Sequence, residues 1–179
     1  MEVPKIKVKQ KNWLLSGHIA SGGIWFGTSL CMLLIALSNR STPNGDELFA
    51  INSVLKLLDD FVIIPSATLS LITGGLLCWL TIWGFAKHYW IIVKWIATVT
   101  LIVVGTAWLG PWTNAITAIS QTQRVQALQN PLYVWDQRAL IIGAIAQTLS
   151  LLVIIGISVL KPWGRRKPEV KNEISAANS

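Results

Sequence analysis

Charge is scarce in this chain. Of 179 residues, only 13% are Asp, Glu, Lys or Arg, where soluble domains carry about 25%, so composition already argues against a water-facing globule. Acid is scarcer than base, with eight Asp and Glu against fifteen Lys and Arg. No carboxylate falls deep in a long apolar run, which speaks against a transporter coupled to protons or sodium through carboxylates. Cys-x-x-Cys, His-Glu-x-x-His and a phosphate-gripping glycine loop are all missing. Sulfur is scarce too. Copper passage wants several soft thiolate and thioether ligands, whereas Cys31 and Met32 are adjacent, so point to different faces, and there is no Met-x-x-Met.

What the chain has instead is hydrocarbon. Four apolar segments, about 13–37, 61–84, 90–109 and 136–160, reach spanning length. A bilayer core of ~30 Å takes roughly 20 helical residues at ~1.5 Å each. A spanning strand would show alternating polarity, which is absent. A helix satisfies its own backbone groups in lipid, so the sequence predicts an all-α, four-helix antiparallel transmembrane bundle. The first segment is too long for the apolar core of a cleavable signal and is followed by no small-x-small site. The reading is therefore one membrane domain over 13–163, between basic tails at 1–12 and 164–179.

Basic residues orient it. Lys5, Lys7, Lys9, Lys11, Lys87, Lys94, Lys161, Arg165, Arg166, Lys167 and Lys171 fall on one side with only Glu2, Glu169 and Glu173; the other side is nearly neutral. Both termini are expected in the cytoplasm. The excess positive charge is a matter of topology and of attraction to anionic lipid, not of nucleic acid. Trp13, Trp83, Trp90, Trp95 and Trp163 would mark the inner interface, and Trp108, Trp112 and Trp135 the outer one. Trp25 and Trp79 are left well inside. Cys31 and Cys78 fall in opposite leaflets, too far apart for a disulfide.

Between the apolar segments, Pro43-Asn44-Gly45 breaks the first helix, and Ile51, Leu55 and Leu58 recur at helical spacing. That pattern predicts a short amphipathic helix on the outer surface, ahead of Asp59-Asp60. Thr113–Gln129 reads as a second one. Pro65 falls either in the first turn of span 2 or inside it as a kink. Span 3 is expected to stop at Gly110-Pro111, and span 4 at Lys161-Pro162. The small and polar residues of span 2 (Ser66, Thr68, Ser70, Thr73, Gly74, Gly75) suit close approach or hydrogen bonding to another helix.

The chemistry-bearing stretch is HIASGGIWFGTS, residues 18–29. His18 lies about 7–8 Å past Trp13 by helical rise. Ser21, Gly22, Trp25 and Ser29 share its face, while Gly23-x-x-x-Gly27 permits helix contact. A neutral imidazole beside a glycine notch and an indole wall is a place for a planar cofactor, with His18 as axial ligand of haem iron. Lys94 enters span 3 at a similar depth, placed to steady a propionate or to snorkel toward the headgroups. His88 is shallower, in the inner turn, and Gln147 sits near the middle of span 4.

With His18, Gly22, Gly23, Trp25 and Gly27, then Pro65 and Thr73-Gly74, Lys94, and Lys161-Pro162-Trp163, the chain resembles a family of bacterial predicted integral membrane proteins of unknown function. That family is distantly similar to copper-resistance D-type proteins and to the four-helix, haem-containing protoporphyrinogen oxidase. The resemblance implies a bacterial cell membrane and a His–Lys site at His18 and Lys94. Thr28-Ser29-Leu30 stands where the oxidase has Pro-Arg-Leu, so no reaction is carried over. Three functional readings follow. The first is haem b held by His18, Gly22, Trp25 and Lys94, with a redox or haem-handling role. The second is a scaffold or partner subunit, associating with itself or another membrane protein through small-residue contacts. The third is a small-molecule or metal permease.

Overall fold

The computed structural model describes residues 6–39 and 43–163. They form four long helices packed as a bundle. The first is α1 (Val8–Ser38), which starts inside the segment read as a tail; residues 164–179 lie outside the described residues. The second runs from α2 (Gly45–Leu58) through a π turn (Asp59–Ile63) into α3 (Ile64–Leu80). The third runs from α4 (Tyr89–Val104) through another π turn (Gly105–Leu109) into α5 (Gly110–Gln123), and ends in a 3₁₀ turn (Arg124–Gln129). The fourth is α6 (Pro131–Leu160). Each of the four is long and apolar enough to cross a membrane. Their outward faces carry bare hydrocarbon such as Ile19, Phe61, Ile72, Ile142 and Val159. An apolar outer surface of this extent needs lipid as its solvent, so the chain is a multi-pass membrane protein.

The two expected surface helices are not surface helices. Residues 45–58 and 110–123 are coaxial continuations of the second and third helices, packed mainly on each other inside the bundle. The reason lies in the prolines. A proline inside a helix removes one N–H and its ring presses on the carbonyl four residues earlier. Here a π turn precedes each one: Ile64 donates to the Asp59 carbonyl just before Pro65, and Gly110 donates to the Gly105 carbonyl just before Pro111. The wider turn gives the ring room, so the helix passes through without stopping. Span 3 therefore does not end at Gly110-Pro111. Span 4 does end where expected, with Lys161 in the left-handed conformation at φ 48° and its ammonium 4.8 Å above the Trp83 ring.

At the end of the bundle away from the termini, a buried polar knot joins all four helices. Asn39 Nδ2 donates to Asn52 Oδ1 (2.8 Å), and Asn52 Nδ2 donates to Ser120 Oγ (3.0 Å) and Tyr133 Oη (3.2 Å). Thr117 Oγ1 lies 2.7 Å from the Thr113 carbonyl and 3.1 Å from that of Asn52, with one hydrogen to share between them. Asn52, Ser120 and Tyr133 are fully buried. The knot sets the register of the helices. Seven residues inward from Asn39 and from Asn52, ~10 Å at 1.5 Å per residue, Met32 of α1 comes level with Asp59. The Asp59-Asp60 pair, read from sequence as lying ahead of span 2, is thus half-buried within the second helix, level with the apolar stretch of α1.

Candidate functional site

His18 and Lys94 do meet. Lys94 Nζ stands 3.2 Å from His18 Nε2. On the other side of the ring, His18 Nδ1 lies 3.1 Å from the Ser70 carbonyl and 3.1 Å from Thr73 Oγ1. A carbonyl only accepts, so Nδ1 carries the proton and Nε2 presents its lone pair to the lysine. Thr73 directs its own hydrogen to the Leu69 carbonyl at 2.6 Å, which leaves its oxygen free to accept from Nδ1. The small residues of span 2 make this possible. A Cβ built on Gly74 would sit 3.1 Å from His18 Cε1, and one built on Gly22 would sit 3.7 Å from Ser70 Oγ. α1 and α3 approach each other at these glycines.

The same packing decides what the pair can hold. An axial histidine needs a free nitrogen and an open ring face. Here Nε2 faces Lys94, Gly74 lies against the imidazole, and the notch at Gly22 is occupied by α3. Trp25, expected to wall the same pocket, packs two turns further along with Ile63, Ala67 and Leu151. These residues do not fit a porphyrin without displacing Lys94 and α3, and no step is derived through haem. What the arrangement does provide is a polar cross-link among α1, α3 and α4, in which an imidazole of fixed tautomer accepts from a lysine. Gly74→Ala should lower stability by about 1–2 kcal/mol, because the ring has to shift. Gly22→Ala, in ordinary contact, should change it by less than about 0.5 kcal/mol. Thermal unfolding in detergent compares the two.

A second site lies in the middle of the bundle. A cavity of about 320 Å³ is bounded by both π turns and by α1 and α6, and it opens to one side past the exposed Ile64, Thr68, Thr106 and Pro111. Its lining is mostly apolar, including Met32, Leu101 and Leu109, but Asp59, Asp60, Gln147 and Trp25 also line it. Asp60 is paired with Lys56 at 2.8 Å. Asp59 has neither a hydrogen bond nor an ion pair among the described residues, and its Oδ2 lies 3.6 Å from where a Cβ on Gly110 would stand. Trp25 is 3% exposed and Gln147 8% exposed. Trp25 Nε1 and Gln147 Oε1 are nevertheless without hydrogen-bond partners. Buried polar groups are ordinarily paired, so these two atoms offer one donor and one acceptor to a water or another polar group in the cavity.

Sequence reasoning named Trp25 and Gln147 but for other reasons, and missed Asp59 and Asp60. One signal was available: Pro65 follows the first π turn by the same interval at which Pro111 follows the second. His88, considered as a second ligand, is engaged within its own turn, with Nδ1 3.3 Å from the Trp83 carbonyl. Gly23 and Gly27 have open space where a Cβ would go, so the Gly-x-x-x-Gly motif makes no close helix contact inside the bundle. Among the described residues no group of three His, Cys, Asp or Glu is placed to hold a metal. Comparison with protein families, curated proteins and solved structures finds no match.

Proposed function

We propose that the protein is a small-molecule permease whose substrate compartment is the cavity between the two π turns. The observation that carries this reading is the pairing of two interrupted helices, each apolar enough to span a membrane, around one cavity. Irregular backbone is tolerated there only where protein covers it or it lines a cavity, and π turns recur at functional positions. A proline supplies no N–H to the carbonyl four residues before it. Each interruption therefore deprives one main-chain acceptor, that of Phe61 or Ala107, of the donor a regular helix would give. The volume falls at the lower end of small-ligand sites. The His18–Lys94 link holds α1, α3 and α4 together at the end of the bundle near the termini, where it acts as a polar clasp.

Water access is the test. With Cys31 and Cys78 replaced by alanine, a cysteine at Ala144, which lines the cavity, should react with a neutral, water-soluble methanethiosulfonate in proteoliposomes. A cysteine at Ile142, 68% exposed on the outer face of the same helix, sits in lipid and should react at least roughly tenfold more slowly, since a thiolate is the reacting form and hydrocarbon suppresses it. Equal, slow reaction at both positions would mean a closed bundle. The scaffold reading would then replace this one.

A further inference from the structure

We infer that the occupant of the cavity is a small organic cation, a protonated amine with an apolar body, bound at Asp59. This rests on the permease reading and adds the class of substrate. The charge distribution is the starting point. Two formal charges line the cavity, those of Asp59 and Asp60, and Asp60 is already matched by Lys56 at 2.8 Å. Asp59 lines the compartment without a hydrogen bond or close ion pair of its own among the described residues, sharing the field of Lys56 with Asp60. Lys94 is no candidate, because it is engaged at His18, fourteen residues (~21 Å of helical rise) from the level of Met32 and Asp59.

A carboxylate set among mostly apolar side chains is stabilised by a counter-charge. The surrounding acceptors favour a donor-rich one. Gln147 Oε1 lines the same cavity unpartnered, and an ammonium has several N–H groups to distribute between that oxygen and the carboxylate. The mostly apolar lining, with Leu101, Leu109 and Met32, suits a hydrocarbon body better than a bare ion. The Trp25 indole N–H, also unpartnered, supplies one donor for an acceptor elsewhere on the same molecule. The carboxylate lies beside the third helix, with a Cβ at Gly110 falling in ordinary contact 3.6 Å from Asp59 Oδ2.

The experiment uses the full chain with Cys31→Ala, Cys78→Ala and Ala144→Cys in liposomes. It compares ethylammonium with ethylsulfonate methanethiosulfonate, two reagents of similar size and opposite charge. Each rate is normalised to a cysteine at Gln126, exposed on the 3₁₀ turn. The cationic reagent should be favoured at position 144 by roughly tenfold or more, the size of effect a charged cleft has on local concentration. Asp59→Asn should abolish the preference, while Asp59→Glu, which keeps the charge, should retain it. An equal rate for both reagents, or a preference that survives Asp59→Asn, overturns the inference. The neutral reagent separates the two readings: if it labels position 144 while no charge preference exists, the permease proposal stands and the cation does not. If it fails to label, both fall.

Discussion

Asn52→Ala should lower the stability of the bundle by about 3–5 kcal/mol, the larger part from atoms other than those removed. Asn52 is fully buried and its side chain bonds Asn39, Ser120 and Tyr133, so that all four helices depend on one amide. Truncation loses those bonds and leaves hydroxyls buried without the donor they face, each costing about 1–3 kcal/mol. Low local polarity strengthens the network and makes its rupture more expensive. Tyr133→Phe gives the internal scale. It deletes one hydroxyl and the bonds from Asn52 and Gln137 that end on it, and should cost about 1–2 kcal/mol. Thermal or denaturant unfolding in detergent, followed by helical circular dichroism, reads both. A cost for Asn52→Ala no greater than that for Tyr133→Phe would mean that the four helices are not joined through this side chain.

Gly45→Ala should be nearly as damaging, by about 2–3 kcal/mol, although it adds a single methyl group to the first residue of a helix. A Cβ at Gly45 would lie 2.5 Å from Arg124 Cβ and 2.6 Å from the Val125 backbone nitrogen. The start of α2 docks directly on the 3₁₀ turn, and no rotamer relieves a contact with backbone. Arg124 is held at φ 52°, a region that non-glycine residues enter at a cost of order 1–3 kcal/mol. The local contacts that compensate are the guanidinium 4.9 Å over the Phe49 ring and an ion pair with Asp46 at 3.4 Å. Arg124→Gly removes one of the two atoms in the clash. In the Gly45→Ala background it should recover about 1 kcal/mol, a coupling that a double-mutant cycle measures. Recovery is partial because the Val125 nitrogen remains. Additive effects would show that the two segments do not touch.

The His18 site was legible in outline and not in detail. Residue counting along two helices of known rise set His18 and Lys94 at the same depth, and the small residues of span 2 announced a close neighbour. Counting could not say that α3 would fill the notch at Gly22, or that Lys94 Nζ would come to Nε2 itself. Those are contacts between residues 48 and 76 positions apart in the chain. The cavity was hidden for a different reason. Each π turn adds backbone to one turn of helix and rotates the side chains beyond it by up to about 100°. The apolar stripe of Leu48, Ile51 and Leu55 therefore loses phase at Asp59, and a continuous helix reads as a surface helix followed by a separate span. The carboxylates at the break were in consequence assigned to the outside.

The amino-acid sequence alone determined that this chain enters a membrane as four helices, because apolar length and backbone self-satisfaction are local properties that no partner alters. The tertiary structure decided which of the polar groups inside that frame are spent on one another and which are left facing a cavity. Pairing is a property of atoms brought together from distant parts of the chain. His18 found Lys94 and Asn52 found three partners, while Asp59, Trp25 and Gln147 came from three different helices to line one compartment.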